Sequence, residues 1–170
     1  FAPEGGAELQ NDSLQLRLNQ GQAASLRMYS SEYSVDDFDV QVSFEGAPDD
    51  IESGGRLRWS IAAIDLNGAG VAVGSEMDAQ GLRYGVVYQN GSYRSDARMQ
   101  YGSDVEQELT GKLRLVRSGD TISAYYWRKD KWSYFREIDY KERKQGGLNG
   151  PLFLRLEATN ALGDDIYPAL

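Results

Sequence analysis

Gly111-Lys-Leu-Arg-Leu-Val-Arg-Ser-Gly-Asp-Thr-Ile-Ser-Ala-Tyr-Tyr-Trp-Arg-Lys-Asp-Lys-Trp132 reads as two strands joined by a tight turn. Over Lys112–Arg117, Leu113 and Leu115 alternate with Arg114 and Val116. Over Thr121–Trp127, Ile122, Ala124 and Tyr126 alternate with Ser123, Tyr125 and Trp127. A period of two is that of a strand with one face on a core. Between the runs, Gly119 can take the positive φ that a primed hairpin turn needs. With Ile122, Ala124 and Tyr126 inward, Ser123, Tyr125 and Trp127 point away from the core.

The rest of the chain supplies strands to pair with these two. Residues 1–12 are Gly-, Pro- and polar-rich and read as irregular. Leu14, Leu16 and Leu18 mark a short strand, and Ser25–Tyr29 another. Phe38-Asp-Val-Gln-Val-Ser-Phe44 is the cleanest alternating stretch, and the loop-forming residues 46–55 follow it. Arg56–Leu66 is a longer strand carrying Trp59, turned by Asn67-Gly68 into Val71–Met77. Leu82–Gln89 and Ser92–Tyr101 flank Asn90-Gly91, a strong two-residue hairpin signal. Trp132–Ile138 and Leu152–Ala158 complete the set, and Thr159–Leu170 could lead into one more strand. About ten short strands, no amphipathic helix and no fixed repeat predict a sandwich or barrel.

At 170 residues the chain reads as a single domain, 1–170, able to bury a core without staples. With 18 basic and 26 acidic residues, its net charge of −8 argues against nucleic acid as partner and against an anionic membrane surface. The absence of any long apolar run argues against membrane insertion. There is neither Cys nor His, so thiolate chemistry, His-dependent triads and His- or Cys-ligated zinc are excluded. Chemistry, if any, must run on carboxylates, Lys, Tyr or an oxygen-ligated metal. The opening Phe-Ala-Pro-Glu-Gly-Gly reads as a trimmed or processed start.

Taken in order, Phe38–Phe44, Gly111–Tyr126, Trp132 and Gly150-Pro-Leu-Phe-Leu-Arg-Leu156 resemble the concanavalin A-like lectin/glucanase superfamily. More narrowly, they resemble its laminin-G-like and uncharacterised bacterial jelly-roll modules, over about residues 8–160. The resemblance implies an all-β, antiparallel jelly-roll β-sandwich of two packed sheets, one of them concave. It also implies an extracellular or periplasmic location. Members include lectins, carbohydrate-binding modules, adhesion domains and glycoside hydrolases, so the fold alone does not choose among them.

Three constellations carry candidate chemistry. Glu137-Ile138-Asp139-Tyr140-Lys141-Glu142 resembles the Glu-x-Asp-x-(x)-Glu signature of the retaining endoglucanases. That likeness implies Glu137 as nucleophile, Asp139 as its tuner and Glu142 as acid/base, with the two glutamates about 5–5.5 Å apart. Lys141 departs from the apolar residue of that pattern, and only 28 residues follow Glu142. The plainer reading is a strand end running into a charged loop. A second constellation is a sugar-binding face of Tyr125 and Trp127, with Arg155 and Glu157 on the same sheet, joined by Arg83 or Tyr84 according to register. Against it stands the commoner role of Trp59, Trp127 and Trp132 as packing. The third is a structural calcium ion on paired acids, Asp36-Asp37, Asp49-Asp50 or, by the resemblance, Asp164 and Asp165 near the terminus. Solvated loop charge explains the same pairs.

The leading expectation is a non-catalytic carbohydrate-binding or accessory module of a secreted or surface bacterial protein, with oligosaccharide or polysaccharide as partner and neighbouring domains in a longer chain. An endo-acting retaining glycoside hydrolase using Glu137 and Glu142 is the alternative, and a purely structural or adhesion domain the third.

Overall fold

The computed structural model describes residues 6–10, 13–17, 24–30, 36–45, 55–66, 68–89, 100–101, 110–139 and 151–162. Side chains are described over 27–30, 36–45, 56–66, 68–87, 110–135 and 151–159. The strands are β1 (Gly6–Gln10), β2 (Ser13–Arg17), β3 (Ala24–Tyr29), β4 (Phe38–Glu45), β5 (Gly55–Ile64) and β6 (Gly70–Asp78). They continue with β7 (Gly81–Gln89), β8 (Gln100–Tyr101), β9 (Thr110–Ser118), β10 (Thr121–Arg128), β11 (Lys131–Asp139) and β12 (Phe153–Leu162). No described residue is helical.

Every strand pair is antiparallel. Four strands form one sheet in the order β11-β10-β9-β4, and six form another in the order β3-β12-β5-β6-β7-β8. β1 and β2 pair only with each other. The two larger sheets pack face to face as the antiparallel jelly-roll β-sandwich that the resemblance implies, the sandwich rather than the barrel left open by the alternating stretches.

The core lies between them. Leu57 and Ile61 of β5, Val71, Val73 and Met77 of β6, and Leu82 of β7 meet Leu113 and Leu115 of β9 and Ile122 of β10. Each large aliphatic chain taken fully out of water contributes about 1.5–3 kcal/mol. Two aromatic stacks bridge the sheets. Phe44 of β4 stacks on Trp59 of β5 at 4.7 Å between centroids, and Tyr84 of β7 on Tyr126 of β10 at 4.6 Å. Trp59 is thus a packing residue, and Tyr84 points inward. β6 is buried along nearly its whole length because both of its faces are covered.

The central hairpin forms as the alternation predicts. Ser118 pairs with Thr121, and Gly119 alone of the two turn residues has positive φ (57°), the pattern of a type II′ turn. Asp37 holds this turn, its Oδ1 accepting from the Gly119 N–H at 2.7 Å. The next connection, between β10 and β11, is made without glycine: Lys129 and Asp130 both have positive φ, 50° and 58°.

Three expectations are corrected. Residues 6–10 are not irregular but form β1, which Ser13–Arg17 pairs in full register. β12 runs four residues beyond Ala158, to Leu162, because β5 offers partners that far. A two-residue turn at Asn90-Gly91 would set Gly85 opposite Asp96, yet Gly85 pairs with Tyr101. Asn90 and Gly91 themselves lie outside the described residues.

Candidate functional site

The sandwich has two outward faces, and the four proposed ligand-binding residues divide between them. Tyr125 and Trp127 stand on β10 in the four-stranded sheet; Arg155 and Glu157 stand on β12 in the six-stranded sheet. The expected single face is therefore corrected. Both pairs point away from the core, but from opposite sides of the sandwich, because β12 pairs with β3 and β5 rather than with the central hairpin.

On the six-stranded sheet the outward charges are spent on one another. Glu157 accepts from Arg27 Nε at 2.7 Å and lies 3.0 Å from Arg155 Nη2, with the side chains of Arg155 and Glu157 each only 2% exposed. Glu76 sits between Arg58, which donates from Nε at 2.6 Å, and Arg83, which also contacts Asp78. Desolvated pairs of this kind hold their partners fixed, since removing one member strands a buried charge. Arg83, which the sequence left open between roles, is part of this network.

The four-stranded sheet presents a different surface. Tyr125 is opposite Tyr134, and Trp127 opposite Trp132, across the β10–β11 pair. Their rings meet edge to face at 5.6 and 5.2 Å between centroids. β9 brings two cations to these rings. Lys112 Nζ lies 4.4 Å over the Trp127 ring, and the Arg114 guanidinium 5.5 Å from both Tyr125 and Trp132. Arg114 also donates to both oxygens of Asp39 on β4, at 2.7 and 2.5 Å. Those hydrogen bonds hold the Asp39 carboxyl below its ordinary pKa and raise that of Arg114. Tyr134 is 57% exposed, while Tyr125, Trp127 and Trp132 are half-buried, anchored on one side and reachable on the other.

The platform ends at a register shift between Ala124 and Tyr125. Plain alternation along β11 turns Phe135 inward against Tyr126 at 5.7 Å while Tyr134 and Trp132 stay outward. Tyr134, Trp132, Lys112 and Arg114 were not singled out as site residues from the sequence. The alternation of Trp132 and Tyr134, and of Lys112 and Arg114, was the available signal.

The remaining candidates fall partly outside the described residues. Glu137 and Asp139 stand in β11 opposite Ser123 and Thr121. Glu142, Asp49, Asp50, Asp164 and Asp165 lie outside the described residues. Among the described residues no group of three or more acidic side chains is placed to hold a metal. No helix among them is long and apolar enough to cross a membrane.

Comparison with solved structures gives a likeness to the VIP36 exoplasmic/lumenal domain in its Ca2+/Man3GlcNAc-bound form. It is 13% identical, covers 96% of this chain and 84% of that one, and has a TM-score of 0.58. This likeness shows the fold. A functionally unknown protein from Saccharomyces cerevisiae is 10% identical over 93% of each chain, with a TM-score of 0.41. An alginate lyase from Klebsiella pneumoniae is 10% identical over 66% of this chain and 61% of that one, with a TM-score of 0.39. No protein-family model matches the sequence. No curated protein matches it.

Proposed function

We propose that this chain is a non-catalytic carbohydrate-binding module of a secreted or surface protein, holding glycan on the outward face of its four-stranded sheet. The observation that carries the reading is the platform of Tyr125, Trp127, Trp132 and Tyr134. Aromatic rings anchored by edge-to-face contacts offer apolar surface to the C–H faces of pyranose rings at little cost in side-chain entropy. The fold supports the reading, since the VIP36 domain of the same architecture was solved with Man3GlcNAc bound. Arg155 and Glu157 stand on the opposite sheet, buried and 3.0 Å apart, away from this platform.

Titration calorimetry against plant, algal and host glycans tests the proposal. Binding to at least one glycan is expected, weakened about tenfold by Trp127→Ala, the equivalent of losing one good stacking contact. Circular dichroism of the variant separates lost binding from lost fold. Silence across the whole panel in the unmutated protein disposes of the idea.

A further inference from the structure

The platform's charge departs from that of the chain around it. From Thr110 to Phe135 the sequence carries six basic residues against Asp120 and Asp130, a net of +4; of these, Lys112 and Arg114 stand outward on β9, whereas Arg117, opposite Ile122, and Arg128, two residues on from Tyr126, fall on the inward side of their strands. The whole chain carries −8. On the outward face, β4 adds Asp39, which Arg114 already engages, and Glu45, at the end of its strand opposite Thr110. Lys112 stands opposite Ser43, and no carboxylate among the described residues pairs with its ammonium.

The cations also sit where a sugar would stack. Lys112 takes one face of the Trp127 ring, and Arg114 lies over Tyr125 and Trp132. A neutral pyranose reaching for those faces has to displace a cation from an aromatic ring and gains nothing from the charge. A pyranose bearing an anionic group can leave the cation in place, lay its apolar face on Tyr134 and the open edges of the tryptophans, and direct its charge to Lys112. Charge-assisted contact of this kind is stronger than a neutral hydrogen bond.

We infer that the ligand of this face is an acidic polysaccharide, one whose pyranose units carry carboxylate or sulfate groups, with Lys112 as the residue that selects for the charge. This rests on the carbohydrate-binding reading above and narrows it to one class. The acidic remainder of the surface repels such a polymer, so its attraction is confined to the platform and the Lys129–Lys131 turn at its end.

The test pairs each polymer with a neutral counterpart: polygalacturonate with its carboxyl-reduced form, and dextran sulfate with dextran. The acidic member of at least one pair is expected to bind about tenfold tighter than its counterpart. That advantage should shrink as salt rises from about 0.05 to about 0.5 M. Lys112→Met, which keeps the aliphatic stem, should collapse the ratio of the two affinities. The pair that shows the effect identifies the anion. Equal affinities within both pairs, or a ratio that Lys112→Met leaves untouched, overturn the inference while the carbohydrate-binding reading stands. Binding to none of the four polymers, with the wider glycan panel also silent, removes both.

Discussion

Gly111 stands opposite Phe44 across the β4–β9 pair, and the Phe44 ring occupies the space that a Cβ on Gly111 would need. The Tyr84 hydroxyl closes the same space from the facing sheet. Both rings belong to the stacks that tie the sheets together. Gly111→Ala should therefore destabilise by about 2–3 kcal/mol, an overpacking cost against two rings held in their stacks. Urea unfolding measures it; a change below about 0.5 kcal/mol, the level of an ordinary surface substitution, would contradict the packing described.

Ser75 lies inward on β6 between Val73 and Met77, fully buried, and its hydroxyl has no hydrogen-bond partner among the described residues. A buried hydroxyl left unpaired carries its desolvation penalty without return. Ser75→Ala should raise stability by about 1 kcal/mol in thermal or urea unfolding. A loss of stability instead would mean that the hydroxyl does find a partner.

The turn from β10 to β11 asks Lys129 and Asp130 to hold positive φ, a region that favours Asn and Gly. Replacing Lys129→Asn together with Asp130→Gly should stabilise by about 1 kcal/mol, since the strain is relieved and the register of Arg128 opposite Lys131 is kept. Two-dimensional NMR of the amides in β10 and β11 checks that the pairing survives. A shift in register would refute the turn assignment.

Arg114 lowers the pKa of Asp39 from 3.8, first by hydrogen bonding and then by its charge, with partial desolvation acting the other way. A folded pKa below the unfolded one means that the folded state binds fewer protons. The contribution is therefore complete above the unfolded value near 3.8 and is lost as pH falls through the lower folded value. Asp39→Asn should cost stability at pH 7, and its deficit should close in acid below pH 3.8. Because the Asp39 side chain is 44% exposed, screening keeps the deficit under about 1 kcal/mol. A deficit that stays constant with pH would show that the pair is not what Asp39 contributes.

Local pattern in the sequence carried much of this architecture, and non-local pairing marks where it stopped. The alternation of Phe38–Phe44 and of Thr121–Trp127 is written within each strand, and Gly119 sits where a primed turn requires it. Nothing near Arg155 or Glu157 reveals that β12 closes onto Arg27 of β3 and Ser60 of β5, far away in the chain. That pairing is what parts them from Tyr125 and Trp127. Nor does Asn90-Gly91 reveal that Tyr101 pairs with Gly85, since the turn signal is local and the register is fixed by the whole strand. Tyr134, by contrast, was legible from its alternation with Trp132.

Lys112, Arg114, Tyr125, Trp127, Trp132 and Tyr134 all come from one meander, three successive strands joined by two-residue turns. In the six-stranded layer, by contrast, β3 and β12 come together from distant parts of the chain beside the consecutive strands β5 to β8. The outward residues of this one stretch thus carry recognition, while its inward residues, Leu113, Leu115 and Ile122, belong to the core. A lineage could exchange the outward residues of that single uninterrupted stretch, changing what is recognised, while its inward residues and the pairing of β9 with β4 keep the molecule folded.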